Sequence, residues 1–188
     1  MPHVRSPQRL HTDRSAILVI DLQEKLVPVI RSGDAVVQQT HRLLTAAEIL
    51  GVPAAATVQY PKGLGPLVPS LAEVFPDPEE KLDFSSAVCR RELETWVEAG
   101  RDQIIVVGIE THVCVQQTVL DLIAEGLRPF LPVEALAARG GEDHEVALDR
   151  MQFAGATLTT VESVMFEWLG TADRSEFKAI SGLVKKKR

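Results

Sequence analysis

Two cysteines in 188 residues, Cys89 and Cys114, are too few for a disulfide framework or a cysteine-built zinc site, and they suit a reducing cytoplasm. Also missing is any apolar run near the roughly 18 residues of a membrane span. The opening MPHVRSPQRLHTDR has no apolar stretch of the kind that directs secretion. Positive charge is short: 20 Lys and Arg stand against 26 Asp and Glu, a net charge of -6, whereas nucleic acid and anionic membranes both reward a basic face. No G-x-G-x-x-G follows the first apolar run, which weakens a nucleotide-dependent oxidoreductase reading. There is no internal repeat and no low-complexity tract. These absences lead to the expectation of a cytoplasmic protein with no nucleic-acid or membrane partner, long enough for one domain with a sizeable core.

What is present centres on Gln103 to Ile123, QIIVVGIETHVCVQQTVLDLI. Ile104 to Val107 is a continuous β-branched run, as in a strand buried on both faces of a parallel sheet. Gly108 breaks it, and Val115, Val119, Leu122 and Ile123 then recur at helical spacing. Cys114 falls at the start of that helix. Unpaired amides and the positive dipole end there favour thiolate, a setting that brings a cysteine pKa from about 8.5 into roughly the 3.5 to 7.5 range. The same amides suit an oxyanion. A strand, a tight turn and a nucleophile opening a helix is a hydrolase arrangement. A buried structural cysteine is the competing reading at this point.

Along the chain, residues 1–14 read as a flexible N-terminal arm free to dock on a neighbour, 15–184 as a single domain, and 185–188 (KKKR) as a basic tail. Ala16 to Ile20 is a buried strand closed by Asp21. Asp34 to Leu50 is a helix stopped by Gly51 and Pro53, and Pro53 to Val58 is a second strand. The Pro- and Gly-rich stretch from Gln59 to Pro78 reads as a functional loop. Lys81 to Ser86 is a short third strand, with Ser85 or Ser86 capping a helix through Leu93, Trp96 and Val97. Leu127 to Val133 is a fifth strand, placed nearer an edge by Pro129 and Pro132. Glu142 to Phe153 is a helix with Val146, Leu148 and Met151 facing inward. Ala156 to Thr160 is the last strand, and helices near Ser163–Leu169 and Ser175–Val184 follow. This alternation predicts a three-layer, doubly wound, Rossmann-like α/β fold: a mostly parallel six-stranded sheet in the order 3-2-1-4-5-6 with helices on both faces. Ligands of such sheets bind where the order reverses, between strands one and four. Topology alone therefore brings Asp21 and Cys114 to one crevice.

IDLQEKL around Asp21, Lys81 ahead of Phe84 and Ser85, and GIETHVC ending at Cys114 together resemble the isochorismatase-like cysteine hydrolase superfamily. QYPKGLG at Gln59 to Gly65 and DRMQFAGA at Asp149 to Ala156 are similar to its small isochorismatase-domain members of unassigned substrate. The resemblance spans roughly residues 15 to 170. It implies a catalytic triad of Asp21, Lys81 and Cys114. It further implies a cis peptide bond between Ile109 and Glu110 that aims the Glu110 amide, with that of Cys114, at an oxyanion. Asp21 would then be general base, Lys81 would hold Asp21 ionised, and Cys114 would attack a carbonyl to form a thioester. Nicotinamidases of this superfamily carry an Asp and two His metal ligands in a D-W-H type motif where this chain reads TVQYPKG, and no His lies between His41 and His112. The expectation is therefore no metal and no cofactor.

Members that cleave isochorismate need no cysteine nucleophile, so Cys114 points to a small-molecule amide or related C–N bond. Isochorismatase-type or other small-metabolite hydrolysis, and a non-catalytic or redox-sensing scaffold on the same fold, stand as alternatives. Gln23, Tyr60, Phe84 and His112 adjoin the motifs and are expected to bind substrate. Glu134, Ala135, Ala138 and Arg139 stand where relatives often show Asp-Ala and Ser-Arg. Cys89, Trp96 and Trp168 are read as packing. The resemblance also implies a homo-oligomer.

Overall fold

The computed structural model describes residues 4–185. In chain order it contains β1 (Ser15–Ile20), α1 (Gly33–Leu50), β2 (Ala54–Gln59), α2 (Pro61–Leu64), α3 (Pro69–Ala72), β3 (Glu79–Lys81), α4 (Arg90–Glu98) and β4 (Gln103–Ile109). There follow α5 (Gln116–Ala124), β5 (Arg128–Pro132), β6 (Leu136–Ala137), α6 (Gly141–Ala154), β7 (Thr157–Thr159), α7 (Val161–Leu169) and α8 (Phe177–Lys185). All named strand pairs are parallel, in the order β3-β2-β1-β4-β5-β7.

The sheet has seven strands rather than the expected six. The addition is β6, whose Leu136 and Ala137 pair with Gly108 and Ile109. β5 pairs with β4 only from Gln103 to Ile105, so β6 takes over the far half of β4. A two-residue strand carries no periodicity to read. The third strand is Glu79–Lys81, not Lys81 to Ser86; its EEK sequence lacks an apolar signal and Lys81 closes it. β5 lies inside the sheet, between β4 and β7, despite its two prolines.

Every residue of β1 and β4 is buried, because both sheet faces are covered. Side chains alternate between the faces. Ile17, Val19, Ile105 and Val107 pack with Leu43 of α1, Trp168 of α7 and Ile180 of α8. Ala16, Leu18, Ile104 and Val106 pack with Trp96 of α4, Val119 of α5 and Met151 of α6. On α6 it is Ala147 and Met151 that are buried; Val146, expected inward, is 59% exposed. The alternation of small and large apolar residues there is ambiguous by one helical position.

The N-terminal segment lies on its own domain. Leu10 is buried in the core, the His11 amide donates to Gln103 Oε1, and Arg14 pairs with Asp102. The KKKR tail lies, beyond Lys185, outside the described residues. Among the described residues no helix is long and apolar enough to cross a membrane.

β1 and β4 approach most closely where Ile20 pairs with Gly108. Gly108 has φ +125, and a β-carbon there would run into the Ile20 carbonyl oxygen. Gly108→Ala combines a disfavoured backbone with overpacking and is expected to cost about 3 kcal/mol. A Tm lowered by about 6 to 12 °C in calorimetry would correspond to that loss.

Candidate active site

Four adjacent strands end at one level: β3 at Lys81, β2 at Gln59, β1 just before Asp21, and β4 just before the turn that carries Cys114. The register fixes this alignment, since Gln59 pairs with Lys81 and Ile20 pairs with both Thr57 and Gly108. Asp21 leaves the strand with a positive φ of 55. Between β4 and α5 the chain makes a π-helical turn, Thr111–Val115, that holds Cys114 inside the first turn rather than at its cap.

Lys81 Nζ donates to Asp21 Oδ2 at 2.7 Å, and both side chains are wholly enclosed. The ammonium also donates to Gln59 Oε1 at 2.7 Å and to the Phe84 carbonyl at 3.0 Å, with the Asp83 carbonyl at 3.4 Å. Asp21 Oδ1 accepts from Thr57 Oγ1 at 3.0 Å. Cys114 Sγ donates to Gln59 Oε1 at 4.0 Å. A second route links the carboxylate to the cysteine backbone. Thr57 Oγ1 bonds Ser86 Oγ, the Ser86 amide donates to Thr118 Oγ1, and Thr118 Oγ1 donates to the Cys114 carbonyl at 2.6 Å. Thr118 reaches that carbonyl because it follows Cys114 by four residues on the same helical face.

The residues named from sequence fall into different positions. Asp21, Lys81 and Cys114 come together. The Ile109–Glu110 peptide is cis, and the Glu110 carboxylate accepts from the Arg139 amide and Nε at 3.0 Å. Gln23 is fully enclosed: it donates to the carbonyls of Gln59 and Gly65 and accepts from the Gln59 amide, so it acts on the site through the β2 terminus. Tyr60 is half exposed and lines a cavity of about 340 Å³ with Pro61, Lys62, Glu80, Lys81 and Leu82. Phe84, also half exposed, lines a separate hollow of about 520 Å³ with Asp83, Gln117 and Asp121. His112 is partly exposed, and its Nδ1 is enclosed without a partner among the described residues. Among the described residues no three His, Cys, Asp or Glu side chains are grouped to hold a metal.

Gln59, Thr57, Ser86 and Thr118 were not singled out from sequence as site residues. For Gln59 the available signal was a polar residue ending an apolar strand, the same signal that marked Asp21.

The expected low Cys114 pKa is overturned. Burial pushes the thiol up to about 12; the Asp21 charge adds to this and Lys81 opposes it. Desolvation outweighs the helix start, and the resting residue is a thiol. Cys89 is likewise raised, to about 11, first by burial and then by Glu79. The sign for Asp21 follows: a neighbouring anion disfavours thiolate, so removing it lowers the Cys114 pKa. Asp21→Asn is expected to speed site-resolved alkylation of Cys114 at about pH 8.5 by about tenfold or more. Equal or slower labelling in peptide mass spectrometry would refute this coupling.

The isochorismatase domain family matches residues 15–163 of the chain. Isochorismatase domain-containing protein 2A of Mus musculus is 37% identical over 181 residues, covering 94% of this chain and 85% of that protein. Isochorismatase domain-containing protein 1 of Salmo salar is 35% identical over 170 residues, 88% of this chain, and the chain spans only 59% of that longer protein. Among solved structures, the MAR1 ribonuclease of Caenorhabditis elegans superimposes with a TM-score of 0.86 at 37% identity, covering 94% of this chain and 92% of that one. The YcaC gene product of Escherichia coli, described as an octameric hydrolase of unknown specificity, superimposes with a TM-score of 0.82 at 27% identity, covering 96% and 91%.

Proposed function

The chain belongs to the isochorismatase domain family of hydrolases, and from that membership we propose that it is a cysteine hydrolase cleaving a small-molecule amide or related C–N bond without a metal. The observation that supports this most is the enclosed Asp21–Lys81 pair at the strand ends, joined through Gln59 to Cys114. A carboxylate held ionised by an ammonium is a base, and a resting thiol needs one. As Cys114 Sγ attacks the carbonyl carbon, its proton passes to Asp21 and the C=O electrons move to oxygen, where the amides of Glu110 and Cys114 receive them. Collapse breaks the C–N bond, and Asp21 returns the proton to the departing amine. Water then attacks the thioester, gives its proton to Asp21, and the sulfur leaves to be reprotonated.

Residues 15–184 act in this reading as a single hydrolase domain in a reducing cytoplasm. The cavity beside Tyr60 and Lys81 is of a size for a small metabolite, with Tyr60 as its candidate contact. Assembly with further copies is part of the same proposal: the Escherichia coli relative is octameric, and α6 presents Val146 and Phe153, the latter 97% exposed, on one face.

The test is to incubate the protein with a panel of small amides and ureido compounds, quench in acid and map adducts by mass. An acyl group on the Cys114 peptide, with release of the matching amine, is expected; neither signal across the panel would sink the proposal.

The name of the Caenorhabditis elegans relative raises RNA as another substrate. A phosphodiester needs cations turned toward it; of the two lysines lining the cavity, Lys81 is already engaged by Asp21, Gln59 and Phe84, which leaves Lys62 alone to meet a polyanion. The net charge of -6 also opposes a polyanion. The amide reading is therefore preferred.

A further inference from the structure

Gln59 lies between the cation and the nucleophile, and its amide is oriented by its own hydrogen bonds. Nε2 donates to the Leu82 carbonyl at 2.8 Å while Oε1 accepts from Lys81 Nζ at 2.7 Å. Exchanging the two atoms would set NH2 against ammonium and oxygen against carbonyl, so only one orientation is allowed. The atom facing Cys114 Sγ is therefore the oxygen. The backbone of Gln59 is fixed as well, with its amide and carbonyl both bonded to the Gln23 side chain. Gln59 is buried, 7% exposed, and is placed by two elements at once.

We infer that Gln59 is a positioning residue of this site: its amide oxygen is the shared acceptor that holds the Lys81 ammonium against Asp21 and receives the Cys114 thiol until a substrate carbonyl arrives. The inference rests on the hydrolase reading for its purpose, but its geometry does not depend on which bond is cleaved. A neutral acceptor suits the task. A carboxylate at 59 would compete with Asp21 for Lys81 and repel the forming thiolate, whereas an apolar side chain would leave the thiol without its acceptor. The charged groups acting on the sulfur are Asp21 from the end of β1 and Lys81 from the end of β3.

The experiment compares alkylation of Cys114 by iodoacetamide at about pH 8.5 in a Cys89→Ala background, with Gln59 unchanged, changed to Glu, or changed to Leu. Gln59→Glu is expected to slow labelling about tenfold or more, and Gln59→Leu to speed it about threefold or more, since hydrogen bonding to the neutral form disfavours the charged one. Opposite signs are the signature, because simple misplacement would move both variants the same way. Unchanged rates, shifts of the same sign, or loss of cooperative melting in both variants would overturn the inference; if only one variant folds, its sign decides. Amide turnover is measured alongside. Turnover retained by Cys114→Ala would remove the hydrolase reading and leave the Gln59 result standing; unchanged labelling with Cys114-dependent turnover would do the reverse.

Discussion

Cys114→Ala is expected to lower kcat/KM toward the amide substrate by about 10⁴-fold or more, as removal of a covalent nucleophile does elsewhere. The loss is chemical rather than structural. Cys114 is 6% exposed and packs among Val115, Val119 and neighbours on the α4–α6 side of the sheet. Replacing its thiol with hydrogen removes one buried heavy atom and should move Tm by only about 2 to 4 °C. Cys114→Ser is expected to be nearly as inactive, because an enclosed hydroxyl is far harder for Asp21 to deprotonate than a thiol. Steady-state kinetics with melting curves separate these effects. Retention of more than about a tenth of wild-type turnover by Cys114→Ala, well above what loss of a nucleophile allows, would end the nucleophile assignment.

The second large effect is on stability. Lys81 and Asp21 are both enclosed and face each other at 2.7 Å, so removing one leaves the other charged without its partner. Lys81→Met is expected to cost about 3 to 5 kcal/mol and to lower Tm by about 6 to 20 °C. Gln59 Oε1 and the Phe84 carbonyl would lose a donor as well. Combining Lys81→Met with Asp21→Asn removes the charge along with its partner and should restore much of the stability while leaving the protein inactive. A double-mutant cycle from denaturant unfolding measures this coupling. If Lys81→Met unfolds within about 1 kcal/mol of wild type, the charge is not held as the geometry implies.

The order of strands and helices was legible because β-branched runs and helical spacing alternate cleanly, and doubly wound topology then brought Asp21 and Cys114 together. Lys81 was different: in EEK nothing separates a strand-end lysine from a solvated one, and only the resemblance of motifs singled it out. Gln59, Thr57, Ser86 and Thr118 escaped because each has a partner 22 to 55 positions away, as with Gln59 to Lys81, Gln59 to Cys114 and Ser86 to Thr118. The Cys114 pKa was misjudged for a related reason. A helix start is visible locally, whereas the burial that outweighs it is a property of the completed core. Val146 shows the same limit, since an apolar residue next to the buried Ala147 still points to solvent.

The placement of these side chains at strand ends, rather than within strands, bears on how such a protein changes by descent. Leu82 and Phe84 hold Gln59 and Lys81 through their carbonyls, but the far part of the connection after β2, residues 69–78, is free to lengthen, shorten or change composition without moving Asp21, Gln59 or Lys81. A deletion inside β3 is another matter: side chains alternate, so a slip of one residue would present Glu80 to Asp21 in place of Lys81. Inheritance can therefore retain the bond-breaking machinery while the choice of metabolite drifts, and the two should diverge at unequal rates among descendants of one ancestor.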